Sequence, residues 1–369
     1  MGIRVENLHK SYGPDKVLNG LDLDIPDRSF FSVVAPTGAG KTTLLRILVG
    51  IESLDKGTVY YDGEDVADRS VQERSVGMVY QEFVNYPSLT VFENLASPLR
   101  ASTDLSEEEI RQQVHETAEM LSIEHRLDNL PEEVSGGEAQ RTAISRALIN
   151  EPDYLFMDEP LANLDYKLRE ELRSEFERLF QELETTVIYA TPISGDALSM
   201  STHIGYLYDG EILEDKPKDE IYYRPETLPV AEYLGEPPMN MLPVTVVEEQ
   251  FEPYFEFKDG TRIWAEGFDL EEGKTYELGF RPQDMKLDGE DGEGERTIHP
   301  DLAFVETVGS TSTLHLEFQG EEIYALSGEP VHLDTDTTLS YTLDPEKLYV
   351  YDPDSEHLLA TGDKIPSFS

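Results

Sequence analysis

The stretch Ala35-Pro36-Thr37-Gly38-Ala39-Gly40-Lys41-Thr42 constrains this chain more than any other. It follows the apolar run Phe30-Phe31-Ser32-Val33-Val34, which reads as a buried strand. It precedes Thr43-Leu44-Leu45-Arg46-Ile47-Leu48, which reads as the first turns of a helix. A glycine loop between strand and helix, closed by a lysine and a threonine, is the context a phosphate-binding P-loop requires. Backbone N–H groups of the loop and of the helix start can surround β-phosphate oxygens. Lys41 would reach the β- and γ-phosphates, and the Thr42 hydroxyl would ligate Mg²⁺. Ala35 departs from the pattern, which opens with glycine. A glycine-rich turn with a chance Lys-Thr would leave the flanking strand and helix unexplained.

The 369 residues suffice for two domains. Hydrophobic content of 38% with 9% aromatics can build packed cores despite the charge. That charge is −47, from 76 acidic and 29 basic residues. So acidic a chain repels nucleic acid and anionic lipid, so no nucleic-acid partner is expected. Self-repulsion on this scale would destabilise a compact state in dilute buffer, whereas at molar salt the Debye length falls to about 3 Å. The composition therefore points to a salt-rich cytoplasm; a plain solubility device needs far less charge. The chain has no cysteine, which excludes disulfides and thiolate chemistry. Met1-Gly2-Ile3-Arg4-Val5-Glu6 shows no apolar signal region, and no apolar run approaches the roughly 20 residues that span a bilayer. A soluble, intracellular chain is expected, with any membrane role coming through a partner.

Residues 1–235 read as an α/β domain, in which short β-branched or aromatic runs (30–34, 76–80, 154–157, 187–190 and 204–208) alternate with helical patterns, as a largely parallel sheet demands. Ser106-Glu107-Glu108-Glu109 is a capping box, followed by Ile110, Val114 and Leu121 on one helix face. Leu164, Leu168, Leu172, Phe176, Leu179 and Leu183 form a stripe that suits a core-facing helix. Near Gly235-Glu236-Pro237-Pro238 the character changes. Over residues 236–369, short segments (254–257, 302–307, 313–318, 341–343) separated by Asp-Gly, Gly-Glu and Asp-Pro turns predict a small all-β sandwich or barrel. Residues 288–295 superficially suggest a Ca²⁺ loop, but their spacing misses the EF-hand pattern and a solvated turn is expected.

Two further motifs narrow the nucleotide reading. The run Tyr154-Leu155-Phe156-Met157 delivers Asp158 and Glu159 to the C-terminal edge of a strand, where ligands bind in open α/β sheets. Asp158 can hold Mg²⁺ through its water shell, and Glu159 can accept a proton from the attacking water. Val134-Ser135-Gly136-Gly137-Glu138 opens a second helix and forms a second anion site. One domain already has its phosphate loop, so this second site most economically serves the nucleotide of a facing copy.

With these motifs in this order the chain resembles the ATP-binding subunits of ABC transporters. Their signature usually reads Leu-Ser-Gly-Gly-Gln, so Val134 and Glu138 are mild departures. The resemblance implies ATP and Mg²⁺ as cofactors, with a P-loop NTPase domain carrying a helical signature subdomain, then a small OB-like β domain. It implies that Tyr12 stacks on adenine and that Gln81 touches Mg²⁺ and the attacking water. It also implies that Asn163-Leu164-Asp165 couples the two nucleotide sites. Residues 83–87 would border a groove for a permease helix, their aromatics reading equally well as core packing. Family members usually carry a histidine where Pro192 stands; proline offers no donor and no titratable group. His203 lies too far along to replace it. ATP binding is expected to survive and hydrolysis to suffer, which a heterodimer would reconcile. Ile221-Tyr222-Tyr223-Arg224-Pro225-Glu226, residues 237–242, Asp165-Tyr166-Lys167-Leu168-Arg169 and Arg281-Pro282-Gln283-Asp284 are similar to segments of importers for sugars, oligosaccharides and glycerol phosphate. The partners so implied are a second ATPase subunit, two permease subunits and an external solute-binding protein, with this chain at the cytoplasmic face of the membrane. A non-hydrolysing regulatory subunit is the nearer alternative, and a soluble ABC ATPase without a transport role the more distant one.

Overall fold

The structure, a computed structural model, describes residues 2–81, 84–162, 166–287, 296–331, 333 and 337–367. It divides into two compact units, Met1–Lys218 and Asp219–Ser369.

The first unit holds strands β1 (Gly2–Tyr12), β2 (Asp15–Pro26), β3 (Phe30–Val34), β4 (Lys56–Tyr61), β5 (Glu64–Asp65), β6 (Val76–Val79), β7 (Tyr154–Asp158), β8 (Thr186–Thr191), β9 (His203–Tyr208) and β10 (Glu211–Pro217). Its helices are α1 (Lys41–Val49), α2 (Val91–Ser102), α3 (Glu107–Met120), α4 (Gly136–Leu148), α5 (Tyr166–Glu182) and α6 (Ser194–Met200); α7 (Lys218–Tyr223) begins at its last residue. One sheet has the order β10-β9-β3-β8-β7-β6, parallel except for the β9–β10 hairpin. The P-loop strand β3 is thus central, and all five of its residues are buried. Strands covered on both faces read as unbroken apolar runs, which is why these were visible in the sequence. Their side chains still alternate: Val187 and Tyr189 join one core with Leu172 and Phe176 of α5. Ile188 and Ala190 join another core with Leu44 and Leu48 of α1.

That second core is roofed by a four-stranded antiparallel sheet, β2-β1-β4-β5. The sequence reading found only parallel-type strands here and missed it. β1 and β2 run polar-apolar with several register shifts, so their period-2 signal breaks repeatedly. The helical signature subdomain is built from α2, α3 and α4, each opened by a capping box at Thr90, Ser106 and Ser135. Ile110, Val114 and Leu121 are buried as expected, and Leu168 and Leu183 of the α5 stripe pack against its buried centre. Leu164, and the whole Asn163-Leu164-Asp165 segment, lie outside the described residues, as do Glu82, Phe83 and residues 288–295.

The second unit adds α8 (Leu228–Tyr233) to strands β11 (Asn240–Glu249), β12 (Glu252–Glu256), β13 (Arg262–Trp264), β14 (Thr275–Phe280), β15 (Lys286–Leu287) and β16 (Thr297–Ile298). β17 (Asp301–Val308), β18 (Thr311–Phe318), β19 (Glu321–Ser327), β20 (Tyr341–Thr342), β21 (Tyr349–Tyr351) and β22 (Leu358–Thr361) complete it. A six-stranded sheet, β13-β12-β11-β14-β21-β22, and two three-stranded sheets enclose a core that includes Phe255, Leu278, Leu316 and Val350. Residues 219–235 group with this unit. The cause is visible in Arg281: it is buried, its guanidinium lies 4.1 Å from the Tyr222 ring, and it donates to the carbonyls of Tyr222 and Leu234. Among the described residues no helix is long and apolar enough to cross a membrane.

Candidate functional site

The loop between β3 and α1 turns on two left-handed glycines, Gly38 at φ 87° and Gly40 at φ 109°. At Gly40 a Cβ would also lie 3.0 Å from Val17 Cγ1 and 3.2 Å from the Val17 carbonyl oxygen. Only glycine satisfies both demands. Ala35 needs no such freedom: it is buried in the core beneath the loop, and its carbonyl accepts from Lys41 Nζ at 2.9 Å. The departure from glycine at this position is therefore harmless to the loop. α1 starts with Gly40 as N-cap and no side-chain cap, so its first N–H groups meet no side-chain acceptor. That is the arrangement an anion fits.

Lys41 is 2% exposed. Besides Ala35 it donates to the Pro36 carbonyl at 3.0 Å and pairs with Glu159 Oε1 at 3.2 Å. Thr42 Oγ1 donates to Asp158 Oδ1 at 2.9 Å. Gln81 Nε2 donates to Glu159 Oε2 at 3.3 Å. Five of the sequence-predicted residues thus meet at the C-terminal edge of the parallel sheet. Burial pushes the Asp158 carboxyl above its ordinary range, the neighbouring Glu159 charge adds to this, and the Thr42 hydrogen bond, Arg46 and Lys41 oppose it. Glu159 holds a left-handed φ of 46° while its N–H donates to the Ala190 carbonyl at 2.9 Å. A non-glycine residue there costs about 1–3 kcal/mol, a strain that concentrates at functional sites. The donors suit a triphosphate with Mg²⁺: a lysine, an uncapped helix start, a hydroxyl and a carboxylate. Mg²⁺ commonly takes few protein ligands beside phosphates and water, so one hydroxyl and one carboxylate suit it.

The Ser135 turn forms a separate group. Ser135 caps α4, and its N–H and hydroxyl are bonded to Glu138, which is held in turn by Arg126 Nε at 2.7 Å and faces His125 Nε2 at 3.2 Å. Sequence reasoning missed Arg126; the only available signal was a basic side chain shortly before the signature in a very acidic chain. The segment after Gln81 is tied to the same helix. Asn85 Nδ2 donates to the Ala139 carbonyl at 2.7 Å, Arg146 donates to the Val84 carbonyl, and the Arg146 guanidinium lies 4.8 Å from the Tyr86 ring. Tyr86 is nonetheless 47% exposed and Val84 53%, so neither is core packing. Gly137 packs against Leu168, whose Cδ1 would lie 3.0 Å from an added Cβ, whereas Gly136 faces open space.

Tyr12, at the end of β1, is 45% exposed; Lys10 Nζ lies 5.2 Å from its ring centre and is fixed by Glu52 at 2.6 Å. Pro192 follows β8, and the N–H of Ile193 donates to Thr191 Oγ1 at 3.0 Å. His203 pairs in register with Phe31, at the start of β3 and so at the sheet edge away from the P-loop. It cannot stand in for a side chain at 192.

Residues 18–162 match the ABC transporter family model. The chain is 34% identical over 361 residues to the alpha-glucoside transport ATP-binding protein of Rhizobium meliloti, covering 96% of this chain and 98% of that protein. It is 32% identical over 357 residues to the maltose/maltodextrin import ATP-binding protein of Yersinia pestis, covering 95% and 96%. A xylose/arabinose import ATP-binding protein of Haloferax volcanii is 36% identical over 313 residues, covering 82% and 78%. A bacterial ABC transporter cassette solved as a dimer superimposes with a TM-score of 0.53 at 31% identity, covering 58% of this chain and 98% of that one. The same cassette in a post-hydrolysis state, bound to ADP and Pi, gives a TM-score of 0.53 at 30% identity with the same coverage.

Fold and site together define a P-loop nucleotide-binding protein with a signature helix. The chain belongs to the ABC transporter ATP-binding proteins; its nucleotide is ATP, and its activity is that of an ATPase coupled to transport.

Proposed function

We propose that this chain energises an importer for sugars or related polyols and glycerol phosphate, as the weakly hydrolysing member of an ATPase pair. The convergence of Lys41, Thr42, Gln81, Asp158 and Glu159 at one sheet edge carries the reading of the site. The substrate class rests on the names of the relatives, which act on alpha-glucosides, maltodextrins and pentoses.

In this reading Lys41 exchanges the Ala35 and Pro36 carbonyls, and Glu159, for phosphate oxygens. That exchange frees the Glu159 carboxylate to accept a proton from a water aligned with the γ-phosphate. Gln81 leaves Glu159 to hold that water. Mg²⁺ held by Thr42, Gln81 and, through water, Asp158 would neutralise charge on the β- and γ-phosphates. Tyr12 stacks on the adenine; such contacts are worth about 1–3 kcal/mol per base. Ser135, Gly136 and Gly137 close on the nucleotide of a facing protomer. Opening and closing of the pair drives two permease subunits, fed from outside by a solute-binding protein. A groove of about 520 Å³ beside Tyr86, lined also by Leu89, Pro98, Arg146 and Asn150, supports docking of a permease helix. The chain then lies peripherally at the cytoplasmic face of the membrane.

Pro192 favours the finer claim that this half-site turns over slowly and that a partner subunit keeps the histidine. It equally favours a regulatory subunit that binds ATP without hydrolysing it. The assembled transporter in vesicles, loaded with ATP, separates these readings from each other and tests the substrate class. Uptake of sugars that falls on Glu159→Gln in this chain supports an active half-site. Uptake insensitive to that change supports the regulatory reading, and uptake only of solutes that are neither sugars, polyols nor glycerol phosphate overturns the substrate class.

A further inference from the structure

The signature turn carries a charge that its usual counterpart lacks, because Glu138 stands where the family pattern has glutamine. Glu138 Oε2 accepts from Ser135 N–H at 2.8 Å and from Ser135 Oγ–H at 2.8 Å. Glu138 N–H donates back to Ser135 Oγ at 3.3 Å. As a cap this is sound, since a carboxylate suits a helix N-terminus. As part of a nucleotide site it raises two problems. A full negative charge sits beside the hydroxyl that must meet a triphosphate, and the single hydroxyl proton of Ser135 is already donated to Glu138. A glutamine amide would cap the same N–H without the charge.

The remedy is on the other carboxylate oxygen. Oε1 accepts from Arg126 Nε at 2.7 Å and faces His125 Nε2 at 3.2 Å. Glu138 is 15% exposed at its side chain against 38% for Arg126, so the guanidinium is the more exposed partner of the pair. The backbone N–H of Ser135 first, then Arg126 and the Ser135 hydroxyl, hold the Glu138 carboxyl down to about 2. A proton therefore does not neutralise it near neutral pH; a cation has to.

We infer that Arg126 is a positioning residue of the composite ATP site: it neutralises Glu138 and pins its outer oxygen, so that the Ser135 hydroxyl is able to turn to the γ-phosphate held by a facing protomer. The Arg126–Glu138 pair thereby does together what one neutral glutamine does in the usual signature. This rests on the two-protomer site proposed above.

The test is ATP-driven association of the full-length chain in KCl with Mg²⁺, followed by analytical ultracentrifugation, with Glu159→Gln in every form to arrest hydrolysis. Arg126→Gln raises the ATP concentration for half-association about tenfold. Adding Glu138→Gln to it restores association to within about threefold of the parent, a coupling that a double-mutant cycle isolates. The Arg126→Gln deficit shrinks as KCl rises, because the exposed part of the pair is screened. Binding of a fluorescent ATP analogue to the P-loop of the unassociated full-length chain stays unchanged throughout. Association of Arg126→Gln equal to the parent overturns the inference. So does a double variant as weak as the single one, which would mark Arg126 as merely structural. If the parent binds the analogue yet associates neither with itself nor with the second ATPase subunit of the pair, the two-protomer site itself fails and the inference falls with it.

Discussion

Introducing a histidine at 192 is the most direct probe of the slow turnover proposed for this half-site. Residue 192 directly follows β8, and two residues earlier the Ala190 carbonyl accepts the N–H of Glu159 at 2.9 Å. A side chain at 192 is therefore carried by the same strand end that fixes the backbone of Glu159. Proline supplies no polar group there, and the loss of one positioned donor typically costs 10²–10³ in rate, about 3–4 kcal/mol of barrier. Replacing a loop proline costs only about 0.4–1 kcal/mol of stability through the unfolded chain. The lowering of the barrier therefore exceeds the loss of stability severalfold, and Pro192→His raises phosphate release at saturating Mg²⁺-ATP by about 10²-fold without unfolding the protein. The assay is steady-state phosphate release by the purified chain in molar KCl, with ATP affinity measured in parallel. A wild-type rate already equal to that of the variant, or an unchanged rate with unchanged ATP affinity, would refute the reasoning.

Three other outcomes follow from the same geometry. Gly40→Ala forces a Cβ onto a φ of 109° and to 3.0 Å from Val17 Cγ1. It lowers ATP affinity at least tenfold (about 1.4 kcal/mol) in a fluorescence titration. Arg74 is buried and donates to the Leu48 carbonyl at 2.6 Å, the Ile47 carbonyl at 3.3 Å and the Val66 carbonyl, stapling the end of the P-loop helix to the roof. Arg74→Met strands those acceptors, costs about 3 kcal/mol, and lowers the calorimetric melting temperature of the first unit by about 6–12 °C. Glu138, at an ordinary 4.5 unfolded and about 2 folded, contributes stability that is complete above pH 4.5 and is lost as pH falls towards 2. Glu138→Gln removes that slope, worth about 1–2 kcal/mol after screening, from the melting temperature measured against pH.

Much of the nucleotide edge was legible because strand, loop and helix must all be local there. A P-loop needs left-handed glycines at fixed offsets from a buried strand, and Gly38, Gly40 and the 30–34 run announce both. Asp158 and Glu159 were legible for the same reason, as the end of an apolar run. The roof of β1, β2, β4 and β5 was not, because its register shifts erase the two-residue period. Arg74 was not legible either: its meaning lies in carbonyls supplied by α1 and the turn after β5. Nor could spacing show that Lys41 rests on Glu159, that residues 84–86 grip α4, or that His203 belongs to the opposite sheet edge. By itself the sequence determined the backbone conformations and residue chemistry that a bound triphosphate demands, since those depend on neighbours along the chain. Only the tertiary structure decided which charges share a boundary, Lys41 with Glu159 and Arg126 with Glu138. Electrostatic pairing acts through space over a few ångströms, and that separation exists only after the strands and helices have packed.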